Sequence, residues 1–322
     1  MRRIAIERRA DAAHVHEADE IFQEARRALD EAEQIFTEPV ATDAQADGDS
    51  GDRPPKWREP VRVVETYMEL GSLYRDWTRH SAKDTPSATI TRRLQDALDY
   101  LQQALEESQR YGLHHLELDA LVNIAQAHFY AGQYDEAKRR LGEALEAVAK
   151  SEQFSYRGNP PKLANCLSFN LKQLSKLHGL QGEIAFAQLH EHTETLAQQH
   201  PGKTRAERQR IAANDPLVTN LLEKAAIAYA LATSYARLYS PGSELLAILY
   251  RDLYTRLKEL NATEMTAFYR HEREARRDYR TDEVKPDDQG DLESFLRDCF
   301  GDFYKPQVRI SEAAVSAELP LE

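Results

Sequence analysis

The sequence predicts an all-α protein with long helices. The apolar fraction of its 322 residues is 41%, made up mostly of Ala and Leu, and long runs of Val and Ile are missing. Buried parallel strands need such β-branched runs, so Rossmann, TIM-barrel and P-loop folds are disfavoured. Apolar residues instead recur every three or four positions, and Gly, Pro and capping residues separate the periodic stretches.

The net charge narrows the classes of partner that the protein can bind, and the cysteine content bears on its location. Acidic residues outnumber Lys and Arg by 54 to 42, which gives a formal net charge of −12. This charge argues against binding to nucleic acid or to an anionic membrane surface, because both need clustered cations. The stretch 225–236 is too short and too rich in Ala and Tyr to span a bilayer. Cys166 and Cys299 are far apart, which excludes a disulfide framework and predicts a cytoplasmic location.

Composition divides the chain into four segments. They are an N-terminal helical segment (1–36), an acidic flexible linker or loop (37–60), a helical array (61–280), and a short helix with a polar tail (281–322). Residues 18–36 carry apolar side chains at helical spacing, with Phe22 and Ala25 on one face. Acidic residues, Gly and Pro dominate the linker, so it offers almost nothing apolar to bury.

Helix boundaries are marked by residues with known capping chemistry. Gly112 follows one long periodic stretch, and residues 158–161 (Gly-Asn-Pro-Pro) separate two more. Asp215 precedes Pro216, which is the arrangement of an N-cap followed by Pro in the first turn. Residues 261–264 have the spacing of a capping box, with Asn in the place of the usual Ser or Thr.

One segment, residues 121–145, carries a recognisable repeat pattern. Its pattern positions hold Leu121, Ile124, Ala125, His128, Gly132, Tyr134, Ala137, Leu141, Ala144 and Leu145. This pattern resembles a tetratricopeptide repeat (TPR), in which two antiparallel helices pack closely. Small residues at 125 and 137 permit that approach, and Gly132 ends the first helix at the turn.

Three further segments fit the same template less well. The earlier copy holds Tyr67, Leu70, Gly71 and Tyr74, then Ala97, Leu101, Ala104 and Leu105 after a longer turn. The third holds Leu174, Ser175, His178, Gly182, Ile184 and Ala187, and the fourth holds Leu231, Ala232 and Tyr235. Equivalent positions lie 50 or more residues apart, against about 34 in a regular array. The resemblance implies a TPR-like α–α superhelix, a solenoid of helical hairpins with irregular, long helices. An irregular helical bundle that holds one TPR-like hairpin is the alternative.

The resemblance implies a non-enzymatic protein–protein interaction module, as an adaptor, scaffold or sensor subunit of a multi-protein, bacterial complex. Its concave face would bind a peptide or helix of a partner protein. The groove positions are Glu69, Ser72, Arg75, Asn123, Gln126, Phe129, Tyr130, Lys172, Gln173 and Lys176. Amide side chains there can bond a peptide backbone, and Phe129 and Tyr130 can anchor an apolar side chain. Each position also fits an exposed polar residue or a contact between repeats.

Motifs for catalysis are weak, and we expect no catalytic residue, no metal and no cofactor. Residues 197–204 match a phosphate-binding P-loop formally, but a polar helical pattern precedes them where a strand is needed. His190 and Glu194 share a helix face, which supplies half of a zinc site. A metal-dependent hydrolase built on helices and a helical-repeat nucleic-acid-binding regulator are the two alternative functions.

Overall fold

The computed structural model describes the backbone of residues 15–37, 59–81, 85–155, 160–239 and 244–278. These residues form ten α-helices and no strand, which confirms the predicted all-α class. The chain divides into two compact units, Met1–Leu163 and Ala164–Glu322.

Five helices make up the first unit. They are α1 (Val15–Phe36), α2 (Pro60–Arg79), α3 (Ser87–Arg110), α4 (His114–Tyr130) and α5 (Tyr134–Ser155). Helix α6 (Pro160–Gln199) lies mostly in the second unit, followed there by α7 (Arg205–Ala213), α8 (Pro216–Tyr239), α9 (Glu244–Leu257) and α10 (Ala262–Asp278). Most of the predicted linker and the whole C-terminal tail lie outside the described residues.

Neighbouring helices of the first unit pack in sequence order. Helix α2 pairs with α3, α4 pairs with α5, α3 contacts α4, and α1 packs on α2. Gly71 permits the closest approach within the α2–α3 pair, because an added Cβ would lie 2.5 Å from Cγ of Leu101. Ala137 of the predicted repeat, in the first turn of α5, is fully buried. Helices α2 and α4 also contact each other, which sets the first helices of the two hairpins side by side.

Two glycines end helices of the first unit at the predicted positions. Gly112 and Gly132 have φ angles of +65° and +73°, in the left-handed region that disfavours a Cβ. The amide of Leu113 donates to Ser108 O at 2.8 Å, and the amide of Gln133 donates to His128 O at 2.9 Å. This bond pattern is the Schellman motif, and it satisfies carbonyls that a helix end leaves open.

The second unit is built around α8. Helix α8 contacts α7, α9 and α10, and Ser175 of α6 donates to Ala232 O of α8 at 2.9 Å. The third TPR-like copy forms no hairpin, because α6 continues unbroken through Gly182. Gly182 instead makes room for the Tyr229 ring, whose atoms would lie 2.5–2.6 Å from an added Cβ.

Both predicted caps of the second unit are formed. Asp215 Oδ1 accepts from the amides of Leu217 and Val218 at 2.8 and 3.1 Å. Asn261 Oδ1 accepts from the Glu264 amide at 3.0 Å, and the Glu264 carboxylate accepts from the Asn261 amide at 3.0 Å. These bonds satisfy backbone donors in the first turns of α8 and α10.

Candidate partner-binding surface

Three of the predicted groove residues meet where α2 and α4 lie side by side. Ser72 Oγ of α2 donates to Asn123 Oδ1 of α4 at 3.4 Å. Arg75 Nη1, one helical turn further along α2, donates to the same oxygen. We call the face formed by Glu69, Ser72 and Arg75 with Asn123, Gln126, Phe129 and Tyr130 the α2–α4 surface.

The guanidinium of Arg75 lies beneath this surface in a buried ion pair. Only 7% of Arg75 is exposed, and its Nε and Nη2 donate to Asp76 Oδ1 at 2.9 and 2.8 Å. Burial acts to lower the pKa of Arg75, but the Asp76 carboxylate and the neighbouring Tyr130 outweigh it and hold that pKa above its usual value. Arg75 is therefore a charged side chain already supplied with an acceptor inside the protein.

The amide of Asn123 makes all of its hydrogen bonds within the protein. Its Nδ2 donates to Asp119 O at 2.8 Å and to Asp119 Oδ1 at 3.0 Å. Its Oδ1 accepts from Ser72 and Arg75. Two donor hydrogens and two lone pairs are the full capacity of an amide side chain. Asn123 thus ties α2 to α4 and has no capacity left for a peptide backbone.

Aromatic side chains lie at the carboxyl-terminal end of the α2–α4 surface. Gln126 Nε2 donates to the Tyr130 hydroxyl at 3.2 Å, and the Phe129 and Tyr130 ring centroids are 5.5 Å apart. The Arg79 guanidinium lies 5.5 Å from the Tyr130 ring centroid. Burial raises the pKa of Tyr130 against the opposing effect of Arg79, so this phenol is neutral, and its oxygen accepts the hydrogen bond from Gln126. Gln126, Phe129 and Tyr130 are half-buried and reachable from solvent.

The remaining predicted residues differ in exposure. Glu69 is exposed on α2. Lys172 and Lys176 are half-buried on α6 in the second unit. Gln173 is fully buried, and neither of its amide atoms has a hydrogen-bond partner among the described residues.

Three residues that shape the α2–α4 surface were not predicted from the sequence. Asp119 lies four residues before Asn123, so i,i+4 pairing could have found it. Arg79 contacts Tyr130 on another helix, so its place depends on the tertiary structure. Asp76 directly follows Arg75, and the template gives no reason to expect the two side chains to pair. Such a pair of neighbours is visible only once the tertiary structure shows that both are buried.

The alternative enzymatic motifs have the following geometry. His190 Nε2 and Glu194 Oε1 are 3.2 Å apart, with both side chains more than half exposed. No group of three or more His, Cys, Asp or Glu that could hold a metal is present in the described part of the chain. Thr204, the last residue of the formal P-loop match, is the N-cap of α7 in a capping box with Glu207. None of the described helices combines the length and apolar character that a bilayer crossing requires.

Paired helices and left-handed glycines at the turns are features that the first unit shares with helical-repeat proteins. Residues 88–150, from the start of α3 into α5, match the family model of the tetratricopeptide repeat. The chain therefore contains a TPR-like helical domain, as the repeat pattern predicted, and TPR domains support protein–protein interaction. No curated protein and no solved structure matches the chain.

Proposed function

We propose that this protein is a non-enzymatic adaptor, scaffold or sensor subunit of a cytoplasmic, bacterial multi-protein complex. In this proposal the α2–α4 surface binds a peptide or helix of a protein partner. The TPR match supports an interaction module in general. The formal charge of −12 supports a protein partner in preference to nucleic acid.

The observation that carries the proposal is the bridge through Asn123. Its amide bonds to Ser72, Arg75 and Asp119 hold α2 and α4 at a fixed spacing before any partner arrives. A surface that is already ordered loses less conformational entropy on binding, so more of the contact energy appears as affinity.

Residues around that bridge supply the contacts in the proposal. The half-buried rings of Phe129 and Tyr130 offer an anchor site for an apolar side chain. The Gln126 amide directs its nitrogen to Tyr130, which leaves its carbonyl oxygen for a partner N–H. Lys172 and Lys176 are proposed as further contacts on the second unit, whereas the fully buried Gln173 is not.

A pair of matched charge variants tests this proposal. Glu69→Arg combined with Gln126→Arg changes the α2–α4 surface by three charges. Asp99→Arg combined with Gln103→Arg makes the same change at exposed positions of α3. Each variant is used to capture proteins from the native host, and the amount of each captured protein is compared with wild type by mass spectrometry.

The expected result is that one or more proteins captured by wild type are lost by the α2–α4 variant and kept by the α3 variant. Circular dichroism serves as the control, and both variants should keep the helix content of wild type. Equal capture by the two variants would contradict a role for the α2–α4 surface.

A further inference from the structure

We propose that α2 and α3 carry a second helix-binding surface, which α1 occupies and which a partner helix of the same pattern competes for. This surface consists of Tyr67, Tyr74 and Trp77 of α2 with Tyr100 of α3, and we call it the aromatic face. It is distinct from the α2–α4 surface, so the proposal does not rest on the function proposed above.

The contacts within the aromatic face are made between side chains of α2 and α3. The ring centroid of Tyr100 lies 6.0 Å from that of Tyr74 and 6.3 Å from that of Tyr67, and Tyr74 lies 6.3 Å from Trp77. The guanidinium of Arg93, also on α3, is 4.0 Å from the Trp77 ring centroid. Stacked rings and a cation held over a ring are favourable arrangements in their own right, and these contacts do not themselves involve α1.

Three of the α1 side chains that contact this face lie at spacings of three and four. Phe22 stacks on Trp77 with a centroid distance of 5.6 Å and an interplanar angle of 7°. Trp77 Nε1 donates to Asp19 Oδ1 at 2.6 Å, and the Arg26 guanidinium lies 5.5 Å from the Tyr74 ring centroid. Anchors at i, i+3 and i+7 are the pattern by which an amphipathic helix binds a groove.

Helix α1 buries few side chains, and Ile21 and Leu29 add partly buried contacts to the same cluster. Among its described side chains only Phe22 and Ala25 are buried, whereas α2 has fourteen buried residues. Ile35, near its carboxyl end, is 67% exposed. Among the described side chains, each of the other four helices of this unit buries more residues than α1 does.

Helix α1 is joined to α2 by the chain, so it binds the aromatic face as an intramolecular ligand. Residues 37–59 join the two helices. Because α1 and the aromatic face belong to one chain, α1 has a higher effective concentration at that face than a separate helix would have. A partner helix must therefore overcome that local concentration before it binds. The partner we infer carries an aromatic residue with a carboxylate three residues before it and an arginine or lysine four residues after it.

Competition by a labelled peptide tests the proposal on the full chain. A fluorescein-labelled peptide of residues 13–37 is titrated with wild-type protein and with the Phe22→Ala variant, and binding is followed by fluorescence anisotropy. The substitution weakens the packing of the protein's own α1 on the aromatic face. We therefore expect the variant to bind the peptide at least about tenfold more tightly than wild type does. A peptide carrying Phe22→Ala should lose this binding, and a peptide carrying Ile35→Ala, at an exposed position, should keep it.

Two results would overturn the proposal in this assay: equal peptide affinity for both proteins, or no binding to a Phe22→Ala variant of native helix content. Hydrogen exchange on the wild-type chain gives a second test that needs no variant. Amides of α1 should exchange faster than those of α4, and equal protection in both helices would overturn the proposal. A dimer that exchanges α1 between two copies, detected by light scattering, would also overturn occupancy within one chain.

Discussion

Replacing Gly71 by Ala should destabilise the α2–α3 hairpin, although Ala is the better helix former. The new Cβ would lie 2.5 Å from Cγ of Leu101, a branch atom, and 3.0 Å from the backbone oxygen of Ala97. Leu101 is fully buried and cannot swing aside. Overpacking of this kind costs about 1–3 kcal/mol, and the helix preference of Ala over Gly returns up to about 1 kcal/mol. We therefore expect a net loss of up to about 2 kcal/mol.

Gly142 supplies the matched control for this substitution. It lies within α5, is exposed, and has no atom within 4 Å of an added Cβ among the described residues. The same change, Gly142→Ala, keeps the gain in helix preference without the steric term. We expect it to raise the free energy of unfolding by up to about 1 kcal/mol. The two variants should thus move stability in opposite directions.

Urea unfolding followed by Trp77 fluorescence measures both changes. A Trp57→Phe background makes Trp77 the single tryptophan, and its position on α2 makes it report on the first unit. The midpoint should fall for Gly71→Ala and rise for Gly142→Ala, with unchanged slope. A Gly71→Ala midpoint at or above that of wild type would refute the close approach of α2 and α3.

Three other predictions concern folding and pH. Ala137→Glu should lower the melting temperature strongly, because Ala137 is fully buried, overpacking costs about 1–3 kcal/mol and a buried charge adds to that cost. The control, Lys138→Glu at the exposed neighbouring position, should change the melting temperature little. Equal melting temperatures for the two variants would refute the assignment of residues 121–145 to a helical hairpin. Burial raises the pKa of Tyr67 and of Tyr100 to about 12. The folded state then keeps protons that the unfolded chain releases near pH 10, so the free energy of unfolding should fall between pH 10 and 12. Replacing Tyr67 and Tyr100 by Phe should flatten the dependence of the urea midpoint on pH. An unchanged dependence would contradict the burial of these two phenols as its cause. Deletion of residues 40–58 should leave the yield of soluble protein and its melting temperature nearly unchanged, and loss of soluble protein would show that the linker is ordered.

Local chemistry made much of the fold predictable. Gly112 and Gly132 mark helix ends because a left-handed residue is needed there, and that requirement is local. Asp215 and Asn261 are equally local, since a cap bonds to amides two or three residues away. Gly182 matched the template in the same way, yet its role depends on Tyr229, 47 residues further along the chain. A periodic match therefore predicts a turn well only where the turn itself supplies the stabilising bonds.

The proximity of three candidate residues was predictable from the sequence, but the bonds that they make were not. The template placed Ser72, Arg75 and Asn123 along one face, and they do meet between α2 and α4. It gave no sign that Asn123 would use its whole amide inside the protein, because that depends on which side chains lie opposite on another helix. Gln173 shows the same dependence, since a polar side chain in a polar-looking stretch turns out fully buried.

Site-specific photo-crosslinking in the native host tests the central claim most directly. A photoreactive amino acid is placed at position 126 on the α2–α4 surface and, as the control, at exposed position 103 on α3. We predict a discrete crosslinked species at position 126 that is absent at position 103 and that mass spectrometry identifies as a second protein. The same crosslinked species from both positions, or none from position 126, would contradict the assignment of this surface to partner binding.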